Sequence, residues 1–425
     1  MSIIRILDQI LSPSDQLLRF KNEARRQLEK TNYREAQRRF LFIIADSGGG
    51  HRTTANAVKA QILSEQPDAC VYLMPAVDIL NTPQRLFSRG IEEAYNHAIK
   101  MGTYWMEPFL FNSVYMMELP VIHQYIALRN AQIVAEFQPE AIVAFVPATQ
   151  EITYHGLQFL QKEHAIPLYT VITDLVSMRH NWIMPEQAFS FVPTAEAKAF
   201  FEQRGIPSEK MQVTGLPVHP RFYQQGADIA SLKQKYQLDP ERFTLLILMG
   251  ANGSQSIYSY CKLIDSLGLP IQIIACCGKS RQVQAQLDVY AKSSKIPIKV
   301  LGFTREIDEL MQVSDLLLTK PGSVSLVESI TQNLPLLIDA SSFIMWQERG
   351  NDAFVEQHKI GMVFRSRQGL KAILSLLLTQ PEKYADLKRN LENFPKQNST
   401  ALIAEHLLQA KRVAMSDPRS DAHEC

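Results

Sequence analysis

The chain of 425 residues is almost neutral: 44 lysines and arginines against 43 aspartates and glutamates leave a formal charge of +1, with 46% hydrophobic and 20% charged residues. That balance excludes a protein that coats polyanions through overall basicity, so no nucleic-acid partner is expected, and the hydrophobic content excludes a disordered chain. No apolar run reaches the roughly 18–20 residues needed to span a bilayer, and the length points to two or three domains.

Five cysteines, odd in number and without metal-site spacing, read as reduced thiols in a cytoplasmic protein. Met1–Ile10 lacks the apolar core and cleavage site of a signal peptide. Residues 1–39 read as a basic amphipathic helical segment, because Arg19–Arg39 holds eight basic residues against three acidic ones. Leu17, Leu18, Phe20, Ala24, Leu28 and Tyr33 recur there at roughly helical spacing. Such a segment either packs on the body of the protein or lies on an anionic lipid surface.

From Phe40 the pattern becomes strand–helix. Short apolar runs at Phe40–Ala45, Val71–Met74, Ala141–Val146, Leu168–Ile172 and Phe189–Val192 predict buried parallel strands of a first domain, 40–222. A polar stretch over 223–231 suits a linker. A second domain, 232–390, has strands at Phe243–Met249, Ile271–Cys276, Ile298–Leu301, Leu316–Thr319 and Leu336–Ile338, alternating with helical segments. Residues 391–412 read as a C-terminal helix and 413–425 as a polar tail. Strands alternating with helices imply α/β architecture: two facing, doubly wound, Rossmann-like domains.

Three strand-to-helix loops carry the chemistry. In Phe40–Val58 a strand runs into Ser47-Gly48-Gly49-Gly50-His51 and then a helix. Glycine is scarce, at 18 residues, so three in succession indicate backbone that must approach a ligand closely. A helix N-terminus there favours an anion. His51 can act as a general base or can cap its own helix. A second loop, Gly250-Ala251-Asn252-Gly253-Ser254-Gln255-Ser256, is suited to phosphate oxygens or to a plain turn. In the third, Lys320-Pro321-Gly322-Ser323 precedes a helix bearing Glu328. That carboxylate could accept the two hydroxyls of a ribose, or stand as an ordinary solvated helix side chain. Gln347, Glu348 and Asn351 open a later helix with groups suited to sugar hydroxyls.

Leu80–Tyr125 is rich in aromatic residues, among them Trp105, and offers either core packing or an apolar surface for a lipid acceptor or bilayer interface. No HxxxH, DxD or GxSxG element occurs, so neither a metal nor a serine nucleophile is expected.

Together these segments resemble the glycosyltransferase family of monogalactosyldiacylglycerol synthases and processive diacylglycerol glucosyltransferases and, more distantly, the peptidoglycan GlcNAc transferase. The likeness runs over roughly residues 40–380 through Ser47–His51, Thr170–Leu175 with Trp182, Val213–Val218 with Pro220–Phe222, Gly302-Phe303-Thr304, Thr319–Gly322, Glu328, Gln347-Glu348, Asn351 and Gly361. It implies a GT-B fold and an inverting, metal-independent transfer of a hexose from a UDP-sugar to a lipid hydroxyl. The UDP-sugar would be donor substrate, with no cofactor, and the enzyme would sit peripherally on the cytoplasmic face of a membrane, on anionic lipid. His51 would be the base and Asp174 its helper. Gly49, Gly50, Trp105 and Trp182 would meet the acceptor. Gly250, Gly253, Ser254, Gln255, Phe303, Lys320, Pro321, Gly322, Ser323, Glu328, Gln347, Glu348 and Asn351 would meet the donor. Ala251-Asn252, Ser323 and Ser329 depart from the family's more glycine- and alanine-rich pattern. They leave room for transfer of GlcNAc or another sugar to a polyprenyl-type acceptor, or for a nucleotide-sugar-binding protein without turnover.

Overall fold

The computed structural model describes residues 21–410 except 23, 27, 30, 46–49, 77–119, 148, 179–181, 183–187, 225, 227 and 343. Gly49, Trp105, most of the aromatic stretch 80–125 and the tail 413–425 lie outside the described residues.

The first sheet holds β1 (Arg39–Ile44), β2 (Cys70–Pro75), β3 (Ala141–Ala144), β4 (Leu168–Val171), β5 (Phe189–Val192) and β6 (Met211–Val213) in the order β2-β1-β3-β4-β5-β6. All its pairings are parallel, for example Phe40 with Val71 on one side and with Ala141 on the other. Helices α1 (Gly50–Glu65), α2 (Pro120–Phe137), α3 (Thr149–Phe159) and α4 (Ala195–Glu202) supply the crossovers. Strand β1 shows why its run is apolar throughout. Leu41 and Ile43 enter the core on one face, while Phe40, Phe42 and Ile44 enter the core on the other. A strand covered on both faces has no polar side to show, and each such side chain fully withdrawn from water contributes roughly 1.5–3 kcal/mol.

The second sheet follows α5 (Ile229–Lys235) and comprises β7 (Phe243–Leu248), β8 (Ile271–Cys276), β9 (Ile298–Leu301), β10 (Leu316–Thr319), β11 (Leu336–Asp339) and β12 (Gly361–Phe364). Its order is β12-β11-β10-β7-β8-β9, again all parallel. Its helices are α6 (Ser256–Asp265), α7 (Arg281–Ala291), α8 (Ile307–Gln312), α9 (Ser323–Thr331), α10 (Asn351–Gln357), α11 (Arg367–Thr379) and α12 (Pro381–Asn393). Both sheets reverse direction of growth at an interior strand, β1 in the first and β7 in the second. The crevice at the C-terminal end of such a switch point is where open α/β sheets bind ligands.

Three features depart from the sequence reading. Strands β6 and β12 were not anticipated: β6 is a three-residue edge strand, and β12 opens on a glycine and is only half covered. The stretch 223–231 already contains the start of α5, because Asp228 accepts from the Ala230 and Ser231 N–H groups and caps it. Residues 391–412 do not form one helix. α12 ends at Asn393, ahead of Pro395, and a new helix, α13 (Ser399–Gln409), begins behind the Asn398 cap. α13 returns to the first sheet, where Ile403, Ala404 and Leu407 join Ala55, Val58 and Ile62 of α1 in one core.

The described part of the N-terminal segment is docked on the first unit. Ala24, Leu28 and Tyr33 are buried in its core, and Glu136 of α2 takes Arg25 at 3.1 Å and the Tyr33 hydroxyl at 3.1 Å.

Candidate active site

His51 is the second residue of α1 and is partly buried at the switch point of the first sheet. Its Nδ1 lies 2.9 Å from the Thr173 hydroxyl, on the loop that leaves β4. Burial pushes the imidazole down to about 4, a hydrogen bond to the Phe145 main chain opposing this only in part. The ring is therefore neutral near pH 7 and able to accept a proton. Asp174, next in the chain, is buried, and its Oδ2 accepts the indole N–H of Trp182 at 2.7 Å. Trp182 is itself fully buried. The structure places it behind Asp174, with its one polar group turned to that carboxylate.

In the second unit the predicted donor residues form a row along the C-terminal strand ends. The Gly250 loop after β7 and Lys320 after β10 meet at the switch point: a Cβ added at Gly250 would lie 3.6 Å from Lys320 Cε. Lys320 Nζ pairs with Glu348 Oε1 at 2.6 Å, beside Gly322. Asn351, fully buried at the head of α10, donates to the Pro321 carbonyl at 2.8 Å and to the Ser323 hydroxyl at 3.3 Å. Its Oδ1 is buried with no hydrogen-bond partner among the described residues, an acceptor that a hydroxyl-bearing ligand would satisfy.

Along the row in the other direction, Gly253 has φ +71°, and a Cβ there would fall 2.0 Å from the Cys277 carbonyl. Only glycine lets these two loops close on each other. Lys279 follows, its ammonium 5.7 Å from the ring centroid of Phe303, which is 54% exposed. Ser254 shares a 2.8 Å hydroxyl contact with Ser256 at the start of α6, and Gln255 reaches Gln286 on α7 rather than the Lys320 cluster. Gln347 adjoins Glu348 in the short turn before α10, where its amide meets Met345 Sδ at 3.8 Å.

Glu328 is not a solvated helix carboxylate. It is buried on α9, and burial pushes its carboxyl up to about 8, with Arg221 pulling it down and Asp308 pushing it further up. Within the described residues no hydrogen bond reaches its carboxyl group.

The two halves touch at this site. A Cβ on Gly50 would meet Val324 at 3.8 Å, so the positive N-terminal ends of α1 and α9 abut. The Ser177 hydroxyl donates to the Arg349 carbonyl at 2.5 Å, and Gly350 lies against Val176. These contacts join the loop of Asp174 to the loop of Glu348. A third contact, Arg221 Nε to Asp308 Oδ1 at 3.0 Å, joins the turn Pro220–Tyr223 to α8.

Thr173, Val176, Ser177, Arg221, Asp308, Arg349 and Gly350 were not singled out as site residues by sequence reasoning. Thr173 and Arg221 stood inside quoted motifs, but nothing in a sequence says which hydroxyl or guanidinium faces the partner domain. Among the described residues no group of three or more His, Cys, Asp or Glu is placed to hold a metal ion. None of the described helices is long and apolar enough to cross a membrane.

Residues 51–218 match the monogalactosyldiacylglycerol (MGDG) synthase family, and residues 244–407 match the glycosyltransferase family 28 C-terminal domain. The chain is 25% identical over 348 residues to monogalactosyldiacylglycerol synthase 1, chloroplastic, of Arabidopsis thaliana, covering 80% of this chain and 64% of that protein. It is 25% identical over 392 residues to synthase 2 of the same plant, covering 85% and 82%. The chain thus spans under two thirds of the length of the first of these relatives. Among solved structures, Acinetobacter baumannii MurG superposes with a TM-score of 0.59 at 13% identity, over 87% of this chain and 99% of that one, a likeness of fold. The chain therefore joins a segment that matches the MGDG synthase family to one that matches the glycosyltransferase family 28 C-terminal domain, on a two-unit fold like that of MurG.

Proposed function

We propose that this protein transfers a hexose from a UDP-sugar to the free hydroxyl of a diacylglycerol-type lipid with inversion at the anomeric carbon. The observation that carries the reading is the position of a neutral His51, braced by Thr173, where the N-termini of α1 and α9 abut. In-line attack needs a proton acceptor on one face of the sugar and a stabilised leaving group on the other. His51 takes the proton of the acceptor hydroxyl as its oxygen bonds to C1, and the C1–O bond to UDP breaks. Asp174, fixed by Trp182, favours the imidazolium that forms. The departing diphosphate carries its charge toward Lys320, the Gly250–Ser254 loop and the N-terminal end of α9, with no metal or cofactor taking part. Glu328 holds the ribose, the Phe303 main chain the uracil, and Glu348 and Asn351 the sugar hydroxyls. The names of the Arabidopsis relatives support a galactosyl donor and a diacylglycerol acceptor. The site of action is the cytoplasmic surface of a membrane, contacted peripherally through anionic lipid.

The test offers UDP-galactose, UDP-glucose and UDP-GlcNAc in turn to purified protein with diacylglycerol vesicles. A monoglycosyldiacylglycerol is expected, abolished in His51→Ala with UDP binding intact. Undiminished turnover in that variant removes His51 as the base. Transfer only to a polyprenyl acceptor, or UDP binding without any turnover, overturns the reading.

A further inference from the structure

The turn Pro220–Tyr223 belongs by sequence to the first Rossmann-like unit, yet it is embedded in the second. Val218 and Phe222 are buried in one core with Leu326, Ile330 and Leu334. Gln332, which ends α9, donates to the Phe222 carbonyl at 2.5 Å. The turn therefore rides on α9, the helix that carries Glu328. Arg221 projects from it to Asp308 of α8 at 3.0 Å, with both side chains largely covered. His219 fixes the start of the turn by accepting the Arg221 main-chain N–H at 3.4 Å.

Glu328 needs a cation. It is only 8% exposed, its carboxyl group receives no hydrogen bond within the described residues, and α9 has no other ionisable side chain. Arg221 favours its charged form and Asp308 opposes it. His219, beside both, is driven toward its neutral form by burial and by Arg221. From α1, which abuts the head of α9, the ionisable groups nearest that end are His51, also neutral, and Arg52. A carboxylic acid can donate one hydrogen bond but cannot accept two from a vicinal diol as a carboxylate can.

We propose that Arg221 is a positioning residue for the donor: anchored by Asp308 and carried on a turn seated against α9, it supplies the positive charge that lets buried Glu328 act as a carboxylate toward the ribose. The inference rests on the reading of Glu328 as the ribose ligand. It makes nucleotide affinity depend on how this turn is seated on α9 and α8. Free Glu328 passes from acid to carboxylate around pH 8. UDP affinity accordingly rises with pH through that range, and the midpoint moves upward when the cation is lost.

The experiment is calorimetric titration of the full chain with UDP from pH 6 to 9, for wild type, Arg221→Gln, Arg221→Lys, Glu328→Gln and the double variant Arg221→Gln/Glu328→Gln. Arg221→Gln should bind UDP roughly tenfold more weakly at pH 7, with its midpoint about one pH unit higher, and Arg221→Lys should recover most of the loss. Glu328→Gln should bind weakly with a flat pH profile, and the double variant should bind no worse than Glu328→Gln. Wild-type affinity in Glu328→Gln refutes the ribose assignment itself. Weak binding in Glu328→Gln, together with an unmoved midpoint in Arg221→Gln, refutes the role of Arg221, even where Arg221→Gln melts at a lower temperature.

Discussion

Trp182 donates its indole N–H to Asp174 at 2.7 Å, and both residues are withdrawn from water. Trp182→Phe keeps most of the ring but removes the donor. A carboxylate left short of a partner inside the protein costs about 1–3 kcal/mol. The variant should lose about that much stability in urea titration and should lose kcat more than donor KM. Unchanged kcat would show that this bond does not set Asp174 for the reaction.

His51 links pH to both activity and folding. Its folded value, about 4, lies below the ordinary histidine value. The unfolded chain therefore binds more protons between about pH 6.5 and 4. This contribution to stability is fully present above pH 6.5 and is lost as pH falls through 4. Urea midpoints of wild type should decline across that window more steeply than those of His51→Gln. The acidic limb of kcat/KM should fall near 4 rather than 6.5.

Gly350 has φ +83°, and a Cβ there would sit 3.1 Å from Val176 Cγ1 of the other unit. Gly350→Ala combines left-handed backbone strain of about 1–2 kcal/mol with a steric push across the cleft. A drop in kcat/KM for the donor is expected, and Val176→Ala in the same chain should restore part of it. Val176→Ala removes the push but not the strain, so no recovery at all would mean that the contact does not hold the two loops in register.

Lys320 neutralises Glu348 at 2.6 Å. Lys320→Met keeps the aliphatic stem and leaves a largely covered carboxylate without its cation. UDP-sugar affinity should fall on the order of tenfold or more, and its salt dependence should flatten. Affinity equal to wild type at low salt would argue against a diphosphate beside this lysine.

Much of this arrangement could be read from the sequence because parallel strands buried on both faces are continuous apolar runs, as in Phe40–Ala45 and Phe243–Met249. The loops that follow them at a switch point stood out through glycine and His51. Short edge strands such as Met211–Val213 carry no such signal. Contacts between units were also hidden, since Arg221 and Asp308, or Ser177 and Arg349, are ordinary polar residues until the fold brings distant segments together. The environment of Glu328 stays open between two readings in the sequence for the same reason: helix position alone does not say whether a carboxylate meets solvent, and only tertiary packing encloses it.

Arg38 gathers the C-terminal carbonyls of α13, reaching Leu408 O at 2.7 Å and Ala410 O at 3.3 Å while pairing with Glu140 at 2.8 Å. Arg38→Ala should lower stability by about 1–2 kcal/mol and speed amide hydrogen exchange at the end of α13. Exchange unchanged there would mean that core packing alone holds the helix.

That last helix has a consequence for how the protein is made. The first sheet's core is closed by Ile403, Ala404 and Leu407. On a ribosome, the first unit cannot complete its core until the whole second unit and residues 399–409 behind it have emerged. The nascent first half must wait with the face of α1 uncovered, whereas the second half can close its sheet as it appears. The order of synthesis and the order of completion are therefore reversed, and the interval between them is when this chain most needs protection from aggregation.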